Sequence, residues 1–170
     1  ISKPGCYEVP LGYPLMKFIN EDCGGLLPGK KLKAIIPGGS SAAVLTAAEC
    51  EKVTLDYESI AAAGSMLGSG AIIVISEDVS MVHVLENLMD FYSHESCGQC
   101  TPCREGTGWL YKMSKSILKG QTNRAEFNKI YSVADNMRGK TICVLSDAAA
   151  DPARAIITKY SHEFEPYLKG

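Results

Sequence analysis

The chain has 170 residues, of which 46% are apolar and 21% charged, and its formal net charge is -2. That is enough chain for one domain or two small ones with a buried core, and too apolar for a disordered tail. The near-neutral charge offers no basic footprint, so no nucleic-acid partner is expected.

The opening Ile1-Ser2-Lys3-Pro4-Gly5 shows no basic-then-apolar leader and no initiating Met, so a piece of a longer polypeptide is expected. Lys3-Pro4-Gly5 is turn chemistry, and Tyr7-Glu8-Val9 alternates like a short strand. Leu15, Phe18 and Ile19 make a helical stripe stopped at Gly24-Gly25. Leu32 to Ile36 reads as a strand ended by Pro37-Gly38-Gly39. Gly70 to Ile75 reads as another, β-branched and buried on both faces. The longest apolar runs, Ala42 to Leu45 and Ala71 to Ile75, fall far short of the ~20 residues a bilayer requires, so no direct membrane insertion is expected. A short helix among small strands predicts a compact β-grasp-like domain over residues 1–78.

From residue 79 the apolar period becomes 3.6. Met81, Val84, Leu85, Leu88, Phe91 and Tyr92 line one helix; Trp109, Leu110, Met113 and Ile117 line the next, with Gly120 as its stop. Asn123 followed by Glu126 forms a capping box ahead of Phe127, Ile130, Tyr131 and Ala134. The last helix carries Ala153, Ile156, Ile157, Tyr160 and Phe164. Asp151-Pro152 is its expected start, with an earlier start at Ser146-Asp147 as the alternative. The fold class expected is therefore α+β: a small β-grasp-like domain, then an all-α four-helix domain over residues 79–170.

The helical half holds the chemistry. Cys97-Gly98-Gln99-Cys100-Thr101-Pro102-Cys103 places three thiols in seven residues between the first two helices, and Cys143 lies in the link before the last. Three ligands from a tight loop plus one remote thiolate is how cysteines hold a [4Fe–4S] cluster. Structural zinc more often pairs two knuckles, a two-plus-two spacing. Cys97, Cys100, Cys103 and Cys143 are thus the candidate cofactor and metal ligands. The chain's seven cysteines are an odd number, which suits a reducing compartment better than a disulfide framework. Cys6, Cys23 and Cys50 read as small buried hydrophobes.

Other motifs carry less. Pro37 to Ser41 lacks the Lys of a phosphate loop, and Gly64 to Gly70 precedes a strand where a dinucleotide fingerprint would follow one; both read as tight turns. His94, three residues before Cys97, reads as a surface or capping residue. Arg104 either eases reduction of a nearby negative cluster or simply opens a helix with Glu105.

Glu95 to Trp109, with its C-x2-C-x2-C-R-E-G core, closely resembles the cluster loop of the flavin-carrying, NADH-oxidising F subunit of bacterial NADH-quinone oxidoreductase (complex I). Thr141 to Ala150 looks like that family's fourth-ligand segment, and Pro4 to Gly12 with Ala34 to Ser41 is similar to its ubiquitin-like SLBB domain. Gly64 to Gly70 matches the family's link toward the helical part. The resemblance implies the carboxy-terminal portion of such a subunit, with one [4Fe–4S] cluster that accepts electrons from FMN and relays them toward quinone. It implies that FMN and NADH are bound by an amino-terminal flavin domain absent from these residues, leaving this stretch alone inactive toward NADH. Implied partners are that flavin domain and other peripheral-arm subunits, on the cytoplasmic or matrix side of the energy-transducing membrane. The diaphorase subunit of an NAD-linked hydrogenase or formate dehydrogenase is the nearest alternative, and a zinc-stabilised interaction domain the more distant one. One departure stands out: position 151 is Asp where the family usually has a bulky aromatic.

Overall fold

A computed structural model describes residues 1–169. The chain divides into two compact units, Ile1–Val79 and Ser80–Gly170, each with its own core.

In the first unit, β2 (Leu32–Ile36) is the central strand of a three-stranded antiparallel sheet, between β3 (Leu45–Thr46) and β5 (Ile73–Ser76). Ile35 pairs with Leu45 on one side and Val74 on the other. A separate ribbon joins β1 (Tyr13–Pro14) to β4 (Thr54–Leu55). The helical stripe at residues 15–19 is real: α1 (Leu15–Lys17) continues into a wider turn, Phe18–Asp22, that closes when the Cys23 N–H bonds the Phe18 carbonyl. Two helices lack any apolar stripe and owe their existence to caps. α2 (Ala47–Cys50) has a capping box between Thr46 and Glu49, and α3 (Tyr57–Ala62) starts where Asp56 accepts the Ser59 N–H. Leu15, Ile19, Ile35, Leu45, Cys50 and Ile60 form the core, each essentially without solvent exposure. Cys23 and Cys50 are the small buried hydrophobes expected, whereas Cys6, read the same way from sequence, is exposed.

Two expectations fail here. Tyr7-Glu8-Val9 forms no strand; the Tyr7 hydroxyl turns back to donate to the Lys3 carbonyl, a local bond that competes with pairing. The strand at Ile73–Ser76 is not buried on both faces: Ile73 is exposed and only Ile75 among its four residues is buried.

The glycine-rich turns meet as a close backbone approach. A Cβ on Gly38 would fall on the Met66 and Leu67 carbonyls, and one on Gly68 would fall on the Gly38 carbonyl. Gly68 also has φ +51°, so neither position accepts a side chain without moving main chain.

The second unit is a four-helix bundle: α4 (Met81–Glu95), α5 (Thr101–Leu118), α6 (Arg124–Met137) and α7 (Leu145–Lys159). Each helix packs on the next, and α4 and α5 pack on α7. Short links make consecutive helices antiparallel. A short α8 (Ser161–Phe164) follows, and its Glu163 carboxylate accepts the Met81 N–H at the start of α4. After α8 comes β7 (Leu168–Lys169), parallel to β6 (Thr122–Asn123). Leu85, Met89, Leu110, Ile117, Ile130, Ala134, Ala153, Ile156 and Phe164 fill the centre. The Asn123–Glu126 capping box and the Gly120 stop, at φ +62°, are both present.

Sequence periodicity misplaced several large residues. Phe91, Trp109 and Tyr131 are 49%, 52% and 42% exposed. In α5 the buried line runs through Cys103, Gly106, Thr107, Leu110, Ser114 and Ile117. Trp109 sits one residue, about 100°, off that line. α7 starts at Leu145, closer to the alternative than to Asp151-Pro152, so Pro152 lies inside the helix. There it leaves the Ala148 carbonyl without its helical donor.

Gly38→Ala should lower the stability of the first unit by about 2 kcal/mol, read as faster amide exchange along β2. A second expectation concerns Asp78. Hydrogen bonds from Lys30 Nζ at 2.6 Å and then Ser76 Oγ at 2.7 Å hold its pKa at about 2. A depressed carboxyl contributes stability above its ordinary pKa of about 3.9 and loses it as pH falls through about 2. Lys30→Met should move the Asp78 midpoint upward in an NMR titration.

Candidate iron–sulfur site

α4 hands over to α5 through five residues, and the reversal is built from main chain. Ser96 leaves helical conformation at φ -64°, ψ 121° while its N–H still bonds the Tyr92 carbonyl. Gly98 turns the chain at φ +77°, a region other residues avoid. Cys100 is the N-cap of α5, in extended conformation and without a side-chain cap bond. Pro102 sits in the first turn, where a helix has spare N–H donors. Cys100 and Cys103 therefore occupy the N-cap and the first turn of a helix, where spare N–H donors face outward.

The three thiols differ in exposure: Cys97 is exposed, Cys100 intermediate and Cys103 buried. Cys103 is also the most tightly held. Its carbonyl accepts from the buried Thr107 hydroxyl at 2.8 Å, and its sulfur lies 3.2 Å from the Ser96 Oγ. Arg104 crosses the loop: one guanidinium nitrogen donates to the Gly98 carbonyl at 2.7 Å, and Nε meets Glu105 at 3.1 Å. Arg104 opens the helix and also pins the turn that precedes it.

Cys143 lies in the link from α6 to α7, between Ile142 and Val144, which are 90% and 78% exposed. This link has its own clasps. Gly139, at φ +63°, donates its N–H to the Asp147 carboxylate at 2.9 Å. The buried Ser146 hydroxyl donates to the Met137 carbonyl at 3.1 Å, and Thr141 donates to the Cys143 carbonyl at 2.8 Å. Asp151 pairs with Arg138 at 2.7 Å and lies 3.8 Å from Arg154. The departure from the family pattern thus ties the base of the Cys143 link to α7.

Both links emerge at one end of the bundle. Met137, the last residue of α6, lies where a Cβ on Gly106 of α5 would stand, and its carbonyl holds Ser146 of α7. Gly106 follows Cys103 by three residues, and Ser146 follows Cys143 by three. Among the described residues, however, no three His, Cys, Asp or Glu side chains stand in a set that could hold a metal ion. The structure therefore brings the two cysteine-bearing links to the same end without closing four sulfurs into a shell. The donor set fits iron–sulfur chemistry: soft thiolates, a helix N-terminus and two clasped loops. His94 is exposed in the last turn of α4, in keeping with a surface role.

Sequence reasoning passed over Ser96, Asp147 and the Met137–Gly106 contact. For Ser96 a signal existed, a hydroxyl two residues from a glycine in the cysteine loop; Asp147 lies eight residues from the Gly139 it holds. Nothing local marks the Met137–Gly106 contact.

Fold and site define an α+β protein whose helical bundle presents a cysteine-rich end suited to an iron–sulfur centre. Residues 83–167 match the family model described as "NADH-ubiquinone oxidoreductase-F iron-sulfur binding region". The chain belongs to this family. It is 43% identical over 170 residues to the F subunit of NADH-quinone oxidoreductase from Rickettsia bellii (strain OSU 85-389), covering 99% of this chain and 41% of that protein. Against the F 2 subunit of the same enzyme from Rhizobium meliloti (strain 1021) it is 41% identical, covering 99% of this chain and 40% of that one. Among solved structures, an NAD+-reducing [NiFe]-hydrogenase in the H2-reduced state superposes with a TM-score of 0.86 at 26% identity, over 99% of this chain and 28% of that one. The chain thus spans about two fifths of the length of the curated relatives it matches. Among the described residues, no helix is long and apolar enough to cross a membrane.

The Asp147 clasp can be measured on its own. Asp147→Ala should speed amide exchange at Gly139 about fivefold or more, and Asp147→Asn, which keeps an acceptor oxygen, should preserve most of the protection.

Proposed function

We propose that this chain is the electron-relay part of the NADH-oxidising flavoprotein subunit of an NADH-quinone oxidoreductase. Cys97, Cys100, Cys103 and Cys143 are the ligands of one [4Fe–4S] cluster. Residues 1–78 are the SLBB domain and residues 79–170 the cluster-binding domain. When bound, the cluster supplies one-electron carriage, from FMN toward further clusters and quinone. FMN and NADH belong to a flavin domain outside these residues. With the other peripheral-arm subunits that domain is the partner, and the assembly sits on the cytoplasmic or matrix side of its membrane.

The supporting observation is the meeting of a C-x2-C-x2-C helix start with the Cys143 link at one bundle end, inside the stretch that matches an iron–sulfur-binding region. The chain's own residues supply position and electrostatics. Arg104 and Asp147 set the two loops, and the α5 N-terminus offers positive potential to thiolates. Ile142 and Val144 form an exposed apolar rim beside Cys143, the kind of surface a partner covers. The likeness to a hydrogenase structure favours a second reading, the diaphorase part of an NAD-linked hydrogenase. The higher identity to quinone-reductase subunits weighs for the first.

Metal and sulfide analysis with a visible spectrum tests the centre directly. Iron and acid-labile sulfide support it; zinc with no visible absorption would replace it with the interaction-domain reading. Cys143→Ala should lose iron or convert the cluster, while Cys50→Ala, buried in the first unit, should retain full iron. Equal iron loss from both would move the fourth ligand elsewhere. NADH-dependent dye reduction by these residues with added FMN should be absent and should appear once the flavin domain is supplied.

A further inference from the structure

The position of Ser96 carries a consequence beyond ligand assignment. Its Oγ lies 3.2 Å from the Cys103 sulfur and 3.4 Å from the Gly98 nitrogen, which donates to it. One hydroxyl therefore faces both the turn at Gly98 and the most buried of the three loop sulfurs. In the free protein either the hydroxyl or the thiol could supply the shared hydrogen. A sulfur bonded to iron has no proton to give, and the Gly98 N–H already fills an acceptor site on Oγ. The hydroxyl must then be the donor, and its hydrogen points at Cys103.

Main chain holds this geometry more than rotamer choice does. Ser96 is the C-cap of α4, with its N–H on the Tyr92 carbonyl, so its Cα is fixed by the helix end. Cys103 is fixed from the other side by Thr107 on its carbonyl and by its place in the first turn of α5. The turn at Gly98 is closed by Arg104. Donor and acceptor are thus anchored on two helices, with the loop between them braced.

We propose that Ser96 is a positioning residue that sets the reduction potential of the iron–sulfur centre by donating a hydrogen bond to the Cys103 sulfur. This rests on the ligand reading above. One-electron reduction adds one negative charge to the centre and transfers no proton to or from Ser96. A hydrogen bond to a ligand sulfur is stronger when that sulfur carries more charge, so it stabilises the reduced form and raises the potential.

The test compares Ser96→Ala and Ser96→Thr in the full chain with the cluster reconstituted, by redox titration followed by electron paramagnetic resonance, with iron and sulfide assayed alongside. Ser96→Ala should keep its iron and sulfide while reduction becomes about five- to tenfold less favourable, a negative shift of about 40–60 mV at 59 mV per tenfold. Ser96→Thr, which keeps the hydroxyl, should stay near the parent. An unshifted Ser96→Ala, or a Ser96→Thr that shifts as far as Ser96→Ala, overturns the proposal. So does failure of both Ser96→Ala and Ser96→Gly to load iron while Ser96→Thr loads, since the hydroxyl would then be needed for assembly rather than for potential. Cys103→Ala separates the two layers: a complete, unshifted cluster in that variant overturns the ligand reading, whatever Ser96 does.

Discussion

Met137 against Gly106 is the contact on which the helical unit turns. Its side chain occupies the space a Cβ on α5 would take, and its carbonyl receives the Ser146 hydroxyl from α7. One residue thereby sets the spacing of three helices within a turn of both cysteine-bearing links. A larger residue at 106 would push α6 away from α5 and carry the Cys143 link with it. The close approach is possible because glycine in a helix leaves a groove; its cost, about 1 kcal/mol of helix propensity, is small beside the packing it permits.

Above that contact the two links solve the same problem in the same way with opposite charges. Each reverses the chain at a glycine with positive φ, Gly98 or Gly139. Each is then tied down by a charged side chain in the first turn of the following helix. Arg104 donates to the Gly98 carbonyl, and Asp147 accepts the Gly139 N–H. A loop with no regular structure thus has its main-chain polar groups met by side chains whose own positions are helical. Thiolates need such loops: a cluster accepts ligands from several directions, which one helix face does not provide. Asp151 adds a third tie through Arg138, and Arg154, stacked on the Tyr131 ring at 4.9 Å, extends the network across α6 and α7.

The first unit depends on a comparable economy of space. Gly38 and Gly68 bring two turns into backbone contact, which no other residue pair would allow. Cys23, by contrast, has its thiol pushed up from the ordinary range, mainly by burial and next by the nearby Asp22 carboxylate. Cys50 is likewise buried, so these two first-unit thiols are packed, unlike exposed Cys6 of the same unit and the loop thiols Cys97 and Cys143 of the other.

How much of this was legible beforehand follows from the range of the interactions. Cysteine spacing, the Asn123–Glu126 box, the Gly120 stop and the α+β division of periodicity are local, so the order of the residues alone determined them. Burial along β5 was not local: Ile73 is exposed while Ile75, two residues on, is buried, which no property of Gly70 to Ile75 reveals. Trp109 was misplaced because hydrophobicity and burial part company on a helix whose inner line carries Gly106, Thr107 and Ser114. The start of α7 was hidden by Pro152, a strong local signal overridden by packing of Ala149, Ala153 and Ile156. The proposed ligand residues were named from the sequence, since a thiol is recognisable wherever it stands. Which hydroxyl faces which sulfur, and which methionine fills which glycine, only tertiary structure decided, because those contacts join segments whose separation along the chain says nothing of their distance in space.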